Sequence, residues 1–343
     1  MLKIAAIDAG SNAMRMVVGE VDKSWHVNAL ENIRLPVRLG QDVFSKGYLE
    51  ENTIQQTEEA FLRFKHMAER FDVHHLRAVA TSAAREARNN DLLLERVFRT
   101  SGIEIEIING EEEARLIHSA VAHTLDLKNK RTLLIDIGGG SVEVTLSTGR
   151  SIISTDSYDM GTVRLLKKLN SESKHSFGKL VSAYAEAARD RIDQDLGDQK
   201  IQICAGTGGN VEEIGRLRQK LFKAESNRCI TLEELEKLIV LLDGMTYEER
   251  MRKLKLRLDR ADVILPASIV LHLIASEAGV KRIAIPNVGL KDGILLDIAE
   301  DLSKNLRLRR GEYFWQARSE ARKLGVRYKS GNGLTSEAVL WMN

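Results

Sequence analysis

Leu133–Leu146 reads LLIDIGGGSVEVTL: an apolar strand reaches an Asp, breaks into three glycines and a Ser, and resumes as a second β-prone run. Glycines bring backbone N–H groups within reach of an anion that any Cβ would hold off. Asp136 and Glu143, one on either side of the turn, carry carboxylate oxygens that can hold a metal ion or its waters beside a phosphate. The pattern therefore predicts a phosphate-binding β-hairpin. Its predicted binding residues are Gly138, Gly139, Gly140 and Ser141.

A second, similar stretch opens the chain. Ile4–Val18, IAAIDAGSNAMRMVV, repeats the order of apolar strand, Asp8, Gly10, Ser11 and second β-prone run. A single Gly-rich hairpin could be purely structural, but two matched turns, each preceded by an Asp, favour ligand binding. We therefore predict two related halves that face each other across a cleft, with a phosphate turn on either wall.

The polar stretch Leu127–Arg131 is the best domain boundary, and 343 residues are enough for two domains with substantial cores. We predict domains at residues 1–127 and 128–309, followed by a basic tail at 310–343. Short strand patterns alternate with helical ones, which indicates an α/β fold. The predicted strands fall within residues 4–18, 76–80, 103–107, 133–137, 142–146, 201–205 and 282–285, and the clearest predicted helices are Glu51–Phe71 and Thr231–Asp243.

Composition favours a soluble globular protein of a reducing compartment. Hydrophobic residues make up 43% and charged residues 29% of the chain, and two cysteines cannot frame a disulfide scaffold. The N-terminus lacks the uninterrupted apolar stretch of an export signal. The apolar run 261–280 contains charged residues and a proline, so a buried helix explains it better than a membrane span. We therefore expect a cytoplasmic protein with no membrane partner.

Local charge is less even than the net charge of +2 suggests. Cations crowd residues 250–260 and again 304–329, and such clusters attract polyanions. A solvated helix face is the simpler explanation for either cluster taken alone. We expect no specific nucleic-acid partner.

Three more segments carry candidate residues. In Gly206–Asn210, GTGGN, the N–H groups at a helix start could bind an anion, or Asn210 could simply cap the helix. In INGEEEARLI, from Ile108, acids favour the first turn of a helix, and Asn109 with Glu112 resembles a capping box. Glu113 is left without a structural role, and its carboxylate could take a proton from an attacking water. Arg85 could bind phosphate oxygens or lie on an ordinary helix surface.

Three familiar types of site are excluded by spacing. The GGG turn lacks the third glycine and the following helix of a dinucleotide loop, because Glu143 stands where that glycine should be. No GK[ST] follows a suitable glycine, so the chain has no P-loop. The eight histidines are dispersed, with no HExxH, so a zinc site is not expected.

Taken together, these segments resemble the exopolyphosphatase and guanosine pentaphosphate phosphohydrolase family, from about residue 3 to 300. The resemblance implies two ribonuclease H-like domains of the superfamily of acetate and sugar kinases, heat-shock chaperone ATPases and actin, with an interdomain cleft. It also implies a homodimer. The motifs that carry it are IDAGSNAMRMVV from Ile7, ATSAAREARN from Ala80, INGEEEARLI, LLIDIGGGSVE, DMGTVRL from Asp159, RADVILPA from Arg260 and VGLKDGIL from Val288.

The resemblance also implies roles for individual residues. Glu113 is the implied base, and Asp136 and Glu143 are the implied catalytic acids, which with Asp8 would hold Mg²⁺ or Mn²⁺. Ala13 departs from the usual Ser or Thr, and the chain has the length of a short-form member. The substrate-binding candidates are Gly10, Ser11, Asn12, Arg15, Arg85, Gly138, Gly139, Gly140, Ser141, Gly206 and Gly208.

The implied activity is hydrolysis of the terminal phosphate of inorganic polyphosphate with the help of Mg²⁺, using water activated by Glu113. Hydrolysis of the 5′-terminal phosphate of pppGpp is the alternative activity. A third reading is a polyphosphate or guanosine polyphosphate sensor that has kept the cleft and lost turnover, although Glu113, Asp136 and Glu143 are all present. A kinase is disfavoured, because the EEAR motif is that of the hydrolases.

Overall fold

The computed structural model describes residues 1–171, 186–192, 194–195 and 200–304. Residues 1–299 form one compact unit that contains two β-sheets, and residues 300–343 form a second unit. The predicted tail at 310–343 lies outside the described residues, and the boundary at 127/128 stays a prediction. Below, the first half means residues 1–127 and the second half means 128–289.

The first half is built on a five-stranded sheet of order β3-β2-β1-β4-β5. β1, β2 and β3 form an antiparallel meander, and β4 and β5 continue the sheet parallel to β1. The strands are β1 Leu2–Ala9, β2 Met14–Val21, β3 Val27–Leu35, β4 His75–Ala80 and β5 Ile105–Ile107.

The second half repeats this topology. Its sheet has the order β10-β11-β9-β6-β7-β8, so β8, β7, β6, β9 and β11 correspond to the five strands of the first sheet, and β10 adds an edge. The predicted α/β class with two ribonuclease H-like halves is confirmed. The strands are β6 Arg131–Ile137, β7 Val142–Thr148, β8 Ser151–Tyr158, β9 Ile203–Thr207, β10 Cys229–Thr231 and β11 Arg282–Ala284.

Helices cover the sheets, and both clearly predicted ones are confirmed. α2 buries Ile54, Phe61 and Phe64, and the helix that starts after Thr231 has a capping box with Glu234. The helices are α1 Leu39–Lys46, α2 Glu51–Arg70, α3 Ser82–Glu86, α4 Asn90–Ser101, α5 Gly110–Thr124, α6 Thr162–Ser171, α7 Gly209–Leu221, α8 Leu232–Asp243, α9 Tyr247–Leu254, α10 Leu258–Ala261 and α11 Ile264–Glu277.

The apolar run after residue 261 forms α11, which is buried among the residues of the second core. Within the described ranges, no helix combines the length and apolar character needed to cross a bilayer.

Each sheet has its own hydrophobic core, one formed by residues between 5 and 105 and the other by residues between 133 and 285. A last helix begins at residue 290 and lies against the first half. There, Asp297 accepts hydrogen bonds from Arg77 (2.7 Å) and Arg115 (2.9 Å), and a Cβ at Gly293 would overlap the carbonyl of Leu116. The start of this helix is thereby held at the cleft between the halves.

Candidate active site

The two predicted phosphate turns occupy equivalent positions in the two halves. In the β1–β2 ladder Asp8 lies opposite Arg15, and in the β6–β7 ladder Asp136 lies opposite Glu143. Four residues, 10–13 or 138–141, connect each pair of strands, and the second turn is closed by Gly138 N–H donating to the Ser141 carbonyl (3.1 Å). The sequence repeat is therefore a structural repeat, with an acid and a cation beside one turn and two acids beside the other.

The two turns meet at the cleft. A Cβ at Gly139 would lie 3.0 Å from the Ser11 Cβ and 3.2 Å from the backbone nitrogen of Asn12. The start of α6 supports the second turn from behind, because the N–H groups of Gly161 and Val163 donate to the carbonyls of Gly140 (3.1 Å) and Gly139 (2.9 Å). The contacts with α6 fix the second turn, and the first turn lies directly beside it.

Gly161 leaves no room for a side chain, since a Cβ there would overlap the backbone of Gly139 and Gly140. We expect Gly161→Ala to lower the free energy of unfolding by about 1–3 kcal/mol through overpacking. Gly244→Ala is the matched control, because its Cβ would make only ordinary contacts at 3.6 Å or more. Thermal unfolding of both variants checks the expectation, and equal melting temperatures would contradict it.

Three carboxylates form a cluster at the end of β6 and β7 and the start of α5. Glu113, Asp136 and Glu143 each offer an oxygen within 4.8 Å of the others, and all three side chains are buried. Thr207 donates to Asp136, and Ser157 donates to Glu143 Oε1 (2.9 Å). Among the described residues, Glu113 Oε2 and Glu143 Oε2 have no hydrogen-bond partner. Two buried acceptors thus face the cluster unsatisfied.

Burial and mutual repulsion make these groups hard to ionise together. Burial, followed by the charge of Glu143, raises the pKa of Glu113 well above its usual range. Burial and then Asp136 raise the pKa of Glu143 to about 7, and burial raises the pKa of Asp136 to about 6. A divalent cation would offset this repulsion.

The start of α5 places Glu113 in the cluster. Asn109 caps the helix by accepting a hydrogen bond from the Glu112 N–H (2.8 Å), as predicted. The Glu112 side chain does not complete the predicted capping box; it binds Arg115 instead, at 2.7 and 2.8 Å. Glu113 therefore turns inward from the first helical turn, while its neighbours face solvent or cations.

Two arginines line the same cavity as the acids and meet at the start of α7. Guanidinium groups of Arg15 and Arg260 crowd Gly209, where any Cβ would overlap Arg260. Arg15 also donates to Asp8 (3.2 Å), and Arg260 donates to Asn210 Oδ1 (2.8 Å). Burial lowers the pKa of Arg260 to about 9, which leaves it charged at neutral pH. With the N-terminus of α7, these cations form an anion-binding wall.

The cavity between the acids and the arginines has a volume of about 80 Å³. That is room for roughly two or three waters, or for one phosphate group. Eleven predicted residues line it: Asp8, Gly10, Ser11, Asn12, Arg15, Glu113, Asp136, Gly138, Gly139, Ser141 and Gly208.

Four predicted residues lie outside the lining. Glu143 sits behind it, within the carboxylate cluster. Arg85 donates to the Ile108 carbonyl (2.6 Å), and its charge lowers the pKa of both Glu113 and Glu143. A Cβ at Gly140 would overlap Ser82, and one at Gly206 would press on the core at Val211 (3.0 Å), so packing alone accounts for both glycines.

The sequence patterns do not single out several of the lining residues. Arg260 was grouped with a basic cluster whose simplest explanation was a solvated face, yet it is only 5% exposed. The signal was its position at the start of the RADVILPA motif. Arg252, Lys253, Lys255 and Arg257 of the same cluster are exposed. The other lining residues not proposed from sequence include Thr162, Glu212 and Lys291.

The residues present suit a hard divalent cation. Carboxylate oxygens are the ligands that Mg²⁺ and Mn²⁺ prefer, and the orphaned oxygens of Glu113 and Glu143 need a positive partner. Asp8 lines the same cavity but pairs with Arg15, outside the group of three. Asp136 and Glu143, together with Glu113, are therefore the ligand candidates that the geometry favours.

Comparison with known proteins identifies the fold and the family of the chain. The chain is similar in fold to an exopolyphosphatase from Cytophaga hutchinsonii, with a TM-score of 0.80 and 21% identity over 87% of this chain and 98% of that chain. It is also similar to the Ppx/GppA family member from Aquifex aeolicus, with a TM-score of 0.73 and 24% identity over 89% of this chain and 99% of that chain. Residues 16–302 match the model of the Ppx/GppA phosphatase family, and the chain belongs to that family.

Proposed function

We propose that this phosphatase removes the terminal phosphate of inorganic polyphosphate with the help of Mg²⁺, using water activated by Glu113. One observation carries the proposal: a buried carboxylate cluster and two arginines converge on one cavity with room for about one phosphate group. The exopolyphosphatase named above, with the same fold, supports the choice of substrate.

In this proposal the arginine side of the cavity binds the substrate. Arg15, Arg260 and the N–H groups at the start of α7 take the oxygens of the terminal phosphate. The two turns add backbone N–H groups from the opposite walls. Because phosphoryl transfer depends mainly on positioning and electrostatics, this fixed cradle supplies much of the catalysis.

Glu113 then accepts a proton from the attacking water. Its elevated pKa makes the ionised form a strong base, and Oε2 is free of other partners among the described residues. The water oxygen bonds to the terminal phosphorus, and the bond to the bridging oxygen breaks. The shortened chain leaves with that oxygen, and orthophosphate is the second product.

A divalent ion held by Asp136 and Glu143 would neutralise charge on the transferring phosphoryl group. Without it, the three carboxylates repel both the substrate and one another. We expect chelation with EDTA to abolish turnover and added Mg²⁺ to restore it. Full activity in the chelated protein would contradict this part of the proposal.

A substrate panel tests the proposed activity. Purified protein with Mg²⁺ is given long polyphosphate, short polyphosphate and pppGpp, and released orthophosphate is measured. We expect the highest kcat/KM with polyphosphate. A higher value with pppGpp would reassign the substrate, and tight binding of guanosine polyphosphates with no phosphate release from any substrate would establish a sensor.

A further inference from the structure

One short segment of the second half contacts the first half on one side and the cavity on the other. In α10, the Asp259 carboxylate is buried and accepts a hydrogen bond from Arg34, at the end of β3. The Asp259 carbonyl accepts a second hydrogen bond, from Asn12 Nδ2 in the first phosphate turn (3.1 Å). Asp259 therefore ties α10 to the first half through two independent contacts.

The next residue points into the cavity. Arg260 follows Asp259 directly, and both belong to the same four-residue helix, in which the Arg260 N–H donates to the Arg257 carbonyl (2.9 Å). Its guanidinium group binds Asn210 and covers Gly209, both in the second half. Since the two side chains share one peptide unit, the place of Arg260 depends on where Asp259 is held.

A second ion pair bridges the halves without reaching the cavity. Asp262, three residues further on, accepts a hydrogen bond from Arg38 (2.7 Å), just before α1. Neither Asp262 nor Arg38 lines the cavity. The chain therefore contains two neighbouring bridges of the same chemistry, of which only one adjoins a cavity cation.

We propose that Asp259 is a positioning residue, which through Arg34 and Asn12 couples closure of the two halves to the placement of Arg260 for phosphate binding. This rests on the proposed function, because it gives Arg260 the role of binding substrate phosphate. The cavity cation is then in place only when the walls are together, so phosphate binding and closure stabilise each other.

Orthophosphate binding separates this role from simple electrostatics. Asp259 is a negative charge beside Arg260, so if electrostatics alone mattered, Asp259→Asn would tighten the binding of an anion. If Asp259 positions Arg260, the same variant weakens orthophosphate binding, by about 10-fold. The two explanations differ in sign.

Calorimetric titration of the full-length protein with orthophosphate, and KM for polyphosphate, are the measurements. In Asp259→Asn we expect the affinity for orthophosphate to fall and the KM for polyphosphate to rise. Both values should recover in Asp259→Glu, and both should stay within about 2-fold of wild type in Asp262→Asn, the matched control. Unchanged or tighter binding in Asp259→Asn, or equal losses in both Asn variants, would overturn the proposal.

Two further arms keep the test decisive. If Asp259→Asn does not fold, the titration is repeated with Arg34→Lys, which keeps the charge and loses the fork geometry; unchanged binding there would also overturn the proposal. Orthophosphate binding needs no turnover. If the wild type binds orthophosphate more tightly than Asp259→Asn does but hydrolyses none of the substrates, the proposed activity is refuted and the positioning role of Asp259 stands.

Discussion

Glu113→Gln is expected to lower the kcat for polyphosphate by about 10²–10⁴-fold, the range that a positioned general base contributes. Gln keeps the shape of the side chain and removes its ability to take a proton. The anion-binding wall, which Arg15 and Arg260 form on the other side of the cavity, is unchanged. KM and orthophosphate binding should therefore stay close to wild type or improve, since a neighbouring negative charge is lost.

Glu111→Gln is the matched control, because Glu111 lies two residues away in the same helical turn and is exposed. We expect its turnover to match that of the wild type. Turnover of Glu113→Gln within a few-fold of the control would remove Glu113 as the base. The cluster would then serve only to hold the metal.

Glu143→Gln is expected to stabilise the metal-free protein at neutral pH while impairing catalysis. The pKa of Glu143 is raised from 4.5 to about 7 on folding, so at pH values between these the folded state binds more protons than the unfolded state. Stability therefore falls as pH rises through this range. A shift of this size lowers the free energy of unfolding by on the order of 3 kcal/mol above pH 7. The Gln variant carries no such charge and does not lose this stability.

Thermal unfolding in EDTA at several pH values checks this expectation. The wild type should lose stability between about pH 5 and 7.5, and Glu143→Gln should show a flatter profile and the higher melting temperature at pH 7.5. Mg²⁺ should then stabilise the wild type more than the variant. If the variant melts below the wild type at pH 7.5 in EDTA, the hydrogen bond from Ser157 to the Glu143 carboxylate stabilises the wild type by more than the buried charge destabilises it.

Local patterns accounted for most of the fold and for much of the cavity. Both phosphate turns were visible because glycines interrupt apolar strands at the same offset from an Asp, and Glu113 stood out because its neighbours had structural explanations. β3 and β8 were not predicted. Both are edge strands with largely exposed residues, so neither shows the apolar alternation that identifies a buried strand.

The remaining residues of the site come together only through the topology. Arg260 lies more than two hundred residues from Arg15 in sequence, yet both cover Gly209. The helix that begins at residue 290 returns to the first half through Gly293 and Asp297, and so brings Lys291 to the cavity. No local pattern encodes such long-range contacts. They depend on how the two sheets face each other.

The contact between the two turns also bears on the rate of product release. Gly139 and Ser11 lie close together, and both line the cavity that is proposed to hold the terminal phosphate. Under the proposed activity, orthophosphate forms between the two turns and must leave before the next phosphate of the chain can take its place. A slow release step would show as a burst of one orthophosphate per site ahead of steady turnover.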